Sequence, residues 1–352
     1  MTLSATIVVG PGFENSESGT GVPALCETQE SISGKPIVCV DLLGLSPLDR
    51  VIEKLLQTGV KSITLVIEEK FSRLLKAQTA KAVRLDLVPD SSYLWSIAEG
   101  AVRELVGHGA EMVLLYRLGP YVEIDFANLA RTHRDAKHRV TAATAADGPV
   151  DLWVISSRHL AGNPTIPLSD MLESSDSIST YAFGGYINRL SSVQDARSLV
   201  LDGLNGRCEY VPAGRQIQPG IWLHDDARVH HDARITAPAY IGSGATIRSR
   251  ASVGAHSSIE RGCEIAEGTI VEVASILANT YLGRGLHVSE AVVDGGRLLA
   301  LRHGTVVEID DGHLLGRTAT EELSHSETNP SRNSSLAERL LELRFATNFR
   351  QA

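Results

Sequence analysis

An aliphatic residue recurs at every sixth position over a long stretch of this chain: Ile217, Leu223, Val229, Ile235, Ile241, Ile247, Val253, Ile259, Ile265 and Val271. Two positions before most of them stands a small residue: Ala227, Ala233, Ala239, Ala245, Ala251, Ser257, Cys263 or Thr269. A helix repeats every 3.6 residues and a strand every 2, so neither accounts for a spacing of six. A six-residue period fits short strands on the flat sides of a prism. Each aliphatic points inward and stacks on its counterpart one coil away, and each small residue fits a tight corner. With three hexapeptides per coil the strict run makes a little over three coils. After Val273 the spacing loosens through Ile276, Leu282, Val288 and Val293, which extends the pattern by a coil or two, and Gly304 to Leu315 suggests an edge hairpin. The repeat specifies a shape and leaves the chemistry open.

Upstream the pattern changes. Ala5 to Val9 is a continuous apolar run, as in a buried parallel strand, and Gly10-Pro11-Gly12 ends it. Phe13 to Lys35 is polar, Gly/Ser-rich and without periodicity, a long loop of the kind that often carries function. Ser46 caps an expected helix to Thr58, with Pro47 at its first position and Val51, Ile52, Leu55 and Leu56 on one face. Strands follow at Ser62 to Ile67, Val83 to Val88, Met112 to Tyr116, Val140 to Thr144 and Leu152 to Ile155. Helices are expected at Ser92 to Val106, Asp125 to Lys137 and Ser192 to Leu204. This alternation predicts a mostly parallel sheet with helices on both faces. Near the end, 317–335 has the composition of a linker, and Leu336 to Phe349 forms a short amphipathic helix.

Length allows two cores, since the chain has 352 residues, 43% of them hydrophobic and 21% charged. Its formal charge of −9 argues against nucleic acid or an anionic membrane as the main partner. Cys26, Cys39, Cys208 and Cys263 show no metal-ligand spacing and are expected to be reduced, partly buried thiols. Without a basic, apolar leader or a stretch near the ~20 apolar residues of a membrane span, the expected location is cytoplasmic.

Several passages together resemble the sugar-1-phosphate nucleotidyltransferases, the nucleotide-sugar pyrophosphorylases. Gly34-Lys35-Pro36 before an apolar strand, then Ser46-Pro47-Leu48-Asp49 opening a helix that ends Gln57-Thr58-Gly59-Val60, is similar to one of the family's signature passages. Asp125-Phe126 with His133 is similar to another. Gly185-Tyr186, Val193-Gln194-Asp195-Ala196 and Leu204-Asn205-Gly206 resemble the end of the catalytic domain. The likeness spans roughly residues 5 to 300. It implies a Rossmann-like α/β nucleotidyltransferase domain over 1–206, a left-handed parallel β-helix over 207–316, a linker over 317–335 and a helix over 336–352.

That chemistry needs a glycine-rich phosphate loop, a divalent metal on the α-phosphate and cations that neutralise developing charge. The loop position holds Gly10 and Gly12, but its arginine is missing, Glu14 brings the wrong charge and Pro11 lacks a donor. Lys35 matches the loop's downstream lysine. Ser91 to Ile97 stands where the base-binding segment belongs, with Tyr93 and Trp95 in the space a nucleobase needs. Where the resemblance places the metal carboxylates, Arg117 and Arg189 stand instead, and the lysine of the sugar-binding insert has no counterpart. The candidate nucleotide or sugar-phosphate residues are therefore Gly10, Gly12, Lys35, Arg117, Asp125, Tyr186 and Arg189. No residue is assigned a catalytic role, and no metal or cofactor is expected.

The resulting expectation is a nucleotidyltransferase-like protein without pyrophosphorylase activity. It binds a nucleotide or nucleotide-sugar and acts as a regulatory or assembly subunit, as a homo-oligomer or with an active paralogue. Two other readings stand beside it. One is an active pyrophosphorylase with a rebuilt Mg²⁺ site that draws on Glu123, Asp125 or the long loop. The other is a hexapeptide acyltransferase using a histidine among His224, His230, His231, His256 and His287.

Overall fold

The computed structural model describes residues 2–10, 34–146, 148–173 and 178–318. Gly12, most of the long loop, nearly all of the linker and the helix expected at Leu336 to Phe349 lie outside the described residues. The elements in chain order are β1 (Leu3–Val9), α1 (Pro47–Gln57), β2 (Ile63–Glu68), α2 (Ala77–Ala82), β3 (Arg84–Val88), α3 (Leu94–Gly107), β4 (Met112–Arg117) and β5 (Tyr121–Val122). Next come α4 (Phe126–Asp135), β6 (Val140–Ala145), β7 (Gly148–Ser156), α5 (Ser157–Gly162), α6 (Leu168–Glu173), β8 (Ile178–Ala182), β9 (Ile187–Asn188) and α7 (Val193–Leu204).

Local chemistry explains the boundaries. Ser46 Oγ accepts the Asp49 backbone N–H, and Asp49 returns the bond to the Ser46 N–H, so α1 opens on a capping box with Pro47 at the first position. Asp125 and Ser192 cap α4 and α7 in the same manner, each satisfying a backbone donor three residues on.

β1 is buried along its whole length as an inner strand of a seven-stranded sheet of order β3-β2-β1-β4-β7-β6-β8. Pairing is parallel from β3 through β4. The expected mostly parallel sheet is mixed, because β7 runs antiparallel to both β4 and β6. The reason is the short connection at Ala145–Gly148, which leaves no room for a parallel crossover. Side chains alternate across the sheet: Ala5, Ile7 and Val9 pack with α1, α4 and α7, while Val8 packs with α3, α5 and α6.

Beyond α7 the chain forms many short strands in three parallel sheets. Ile221–Leu223, Ala239–Ile241, Ser257–Ile259, Ser275–Ile276 and Ala291–Asp294 pair in succession in one of them. Successive strands step to the second sheet and the third before returning to the first. The return takes eighteen residues from Ile241 to Ile259 and seventeen from Ile259 to Ile276, which is where the spacing loosens in the sequence. The aliphatics from Ile241 to Val271 are almost wholly buried against one another. Ile217 departs from the expected phase. It is 43% exposed in a bulged antiparallel strand at the end of the stack, where no preceding coil covers it.

The corners turn through left-handed backbone in register from coil to coil: Gly244, Gly262 and Asn279 at one, Arg250, Gly268 and Gly285 at the next, His256, Val273 and Glu290 at the third. At the far end the hairpin lies earlier than the one expected at Gly304 to Leu315: Arg297–Ala300 pairs with Thr305–Glu308, and Leu315–Arg317 returns against Thr280–Leu282. The two regions share a core, since Tyr240, Leu277, Val292 and Leu299 pack into the same cluster as α1 and α7. Among the described residues no helix is long and apolar enough to cross a membrane.

Candidate functional site

In the order β3-β2-β1-β4 the chain leaves β1 toward β2 through α1 and reaches β4 through α3, and these helices pack on opposite faces. Such a reversal opens a crevice at the carboxyl ends of β1 and β4, the usual place for a ligand in an open α/β sheet. Gly10 and Arg117 stand there. A Cβ on Gly10 would run into the side chain of Leu94, the first residue of α3. Glycine lets β1 and α3 approach closely here, and the surface that a phosphate would approach is covered by a fully buried leucine.

Arg117 is 3% exposed and its Nε donates to Asp151 Oδ2 at 2.7 Å. The guanidinium expected to meet a phosphate is thus engaged by a carboxylate on β7. Mg²⁺ requires oxygen ligands; Arg117 supplies none, and the Asp151 carboxylate beside it is held by the guanidinium, so this pair does not fit that ion.

The remaining candidates separate into three roles. Asp125 accepts the Asn128 backbone N–H at 2.9 Å as the cap of α4. Tyr186 Oη donates to Asp202 Oδ2 at 2.7 Å, and burial with this bond pushes its phenol well above the ordinary value, so it stays a donor. Arg189 is exposed just past β9, and Lys35 is half-buried ahead of the turn at Ile37–Cys39.

β5 and β9 pair, which brings Glu123 beside Tyr186. Glu123 Oε1 accepts the Glu209 backbone N–H at 2.5 Å and lies 3.4 Å from Tyr121 Oη. Burial is the main reason its carboxyl is raised above the usual range. Sequence reasoning missed Asp202, which stands near the end of α7 with no local sign that it would meet Tyr186. Neither Glu123 nor Asp125 joins a set of three convergent metal-ligand atoms among the described residues. The set that does converge is His230, His231 and Asp232, consecutive and exposed.

A second constellation was also missed. Glu260 is fully buried, and its two oxygens accept the backbone N–H groups of Leu43 at 2.8 Å and Gly44 at 2.9 Å. Asp41 lies beside it, paired with Lys76 at 2.8 Å and Arg261 at 2.6 Å.

No protein-family model matches the chain, and no curated protein matches it.

Proposed function

We propose that this chain is a sugar-1-phosphate nucleotidyltransferase-like protein without pyrophosphorylase chemistry. Its α/β domain is a nucleotide- or nucleotide-sugar-responsive platform, and a left-handed β-helix assembles it with further copies or with an active relative. The observation that carries the reading is Arg117, closed on Asp151 at the end of β4 where the resemblance places a metal carboxylate. The reversal between β1 and β4 and the steps of seventeen and eighteen residues between stacked strands support the two-part architecture. The Glu260 clamp supports a regulatory role, since it ties the expected β-helix to the loop that opens α1.

The test is a thermal-shift series on the full chain with nucleoside triphosphates, nucleotide-sugars and sugar phosphates, with and without Mg²⁺, paired with a pyrophosphate-release assay. A ligand that binds the native state raises its melting temperature by mass action. The expected result is stabilisation by a nucleotide or nucleotide-sugar, independent of Mg²⁺, with no pyrophosphate released. Mg²⁺-dependent release that disappears in Lys35→Ala would overturn the proposal in favour of an active transferase.

A further inference from the structure

A large concavity lies at the other end of the sheet. It has a volume of about 700 Å³, within the range of small-molecule sites. Its floor is where β4 begins and β7 ends, so it lies about 17 Å along β4 from Arg117, at roughly 3.3 Å per residue.

The segment joining α4 to β6 supplies Lys137, His138 and Arg139 to one wall. Ser156 and the start of α5, with Arg158 and His159, supply the other. Backbone bonds fix both walls: Ser156 N–H donates to Arg139 O at 3.0 Å and Ser157 N–H to Glu111 O at 3.0 Å. Beneath them His133 is buried, with Nδ1 2.8 Å from Thr141 Oγ1 and Nε2 2.8 Å from Ser156 Oγ.

Among the described residues the charges do not balance locally. Arg134 pairs with Asp135, and among the described residues Glu111 is the only carboxylate in the lining. Lys137, Arg139 and Arg158 have no carboxylate partner among the described residues, although the chain as a whole carries −9. Their field is felt nearby, since burial first and the Arg139 charge second lower the His159 pKa. Uncompensated like charges around a concave wall repel one another, and an anion entering the cleft removes that repulsion.

We infer that this cleft binds a small, multiply charged phosphate compound, an oligophosphate or bisphosphate, at a site separate from the crevice at the carboxyl ends of the strands. A single carboxylate needs one cation, whereas Lys137, Arg139 and Arg158 against Glu111 leave an excess of two positive charges among the described residues, which matches a multiply charged anion. The concave shape and the acidic remainder of the chain favour a compact ligand over an extended polyanion, which would meet repulsion outside the cleft.

The probe is inorganic triphosphate, titrated calorimetrically into the full chain at low ionic strength, with sulfate and a single-stranded oligonucleotide as competitors. Triphosphate is expected to bind one to one and to weaken about tenfold or more in an Arg139→Ala, Arg158→Ala double variant whose melting temperature is unchanged, both side chains being exposed. Absence of saturable binding, or equal affinity in the double variant, would overturn the inference. So would displacement by the oligonucleotide at equal phosphate concentration. Loss of binding in Arg189→Ala instead would put the triphosphate at the other end of the sheet, which contradicts this site and leaves the functional proposal standing.

Discussion

Glu260 Oε1 accepts the backbone N–H of Leu43 at 2.8 Å, joining positions 217 residues apart in the chain. Leu43 and Gly44 have φ of 52° and 93°, which turns two successive N–H groups toward one carboxylate in an anion-holding nest. A Cβ on Gly44 would collide with the Tyr240 hydroxyl, so the nest closes only around glycine. Burial, reinforced by Asp41, raises the Glu260 pKa from 4.5 to about 8.

The sign of the pH dependence follows from that shift. A carboxyl raised in the folded state contributes stability that is complete below about 4.5 and is lost as pH rises through about 8. Melting temperatures measured between those limits should fall with pH, and Glu260→Gln should flatten the slope. Equal slopes in the two proteins would refute the shift. Glu260→Ala should cost about 2–4 kcal/mol in denaturant unfolding, because the buried Leu43 N–H and the part-buried Gly44 N–H lose their acceptor.

Asp151→Ala removes the carboxylate that the buried Arg117 donates to and should destabilise by about 2–4 kcal/mol, below the usual loss for a buried pair because Asp151 is 23% exposed. An Arg117→Met, Asp151→Ala double variant should recover most of it. Urea unfolding of the three proteins decides the point; additive losses would mean that the pair does not act as a unit.

Val273 holds φ at 51° in the corner shared with His256 and Glu290, and a β-branched residue fits that conformation poorly. It is also 40% exposed, so little apolar burial is at stake. Val273→Asn should therefore stabilise by about 1 kcal/mol. A neutral or destabilising result in thermal or chemical unfolding would show that the corner relaxes around valine.

His133 is lowered from 6.5 to about 4, by burial first and then by the neighbouring His138. Its contribution to stability is present above about 6.5 and disappears as pH falls through about 4. The ring should keep the NMR shifts of neutral imidazole down to about pH 5. Protonation near 6.5 would mean that its bonds to Thr141 and Ser156 are not maintained.

Burial pushes the Cys39 and Cys263 thiols up to about 12, so both should resist a thiol reagent at neutral pH in the native protein and react once it is unfolded. Rapid native labelling of either, located by peptide mass, would show that its surroundings open.

Much of this architecture was already present in the order of residues. The six-residue spacing of Ile241 through Val271 determined stacked short strands, because every member of the series had to reach one interior from successive coils. Ser46-Pro47 with Asp49, and Ser192 with Asp195, determined where two helices begin, since a cap acts within three residues. The covering of Gly10 by Leu94, the pairing of Arg117 with Asp151 and the burial of Glu260 had no such local signal. Each depends on a partner tens to hundreds of residues away, and Glu260 next to Ile259 has the appearance of a solvent-facing strand residue until the loop of Leu43 folds over it. Periodicity and capping act over a few residues and are legible along the chain. Charge compensation and close packing act through space, and only the tertiary structure decided them.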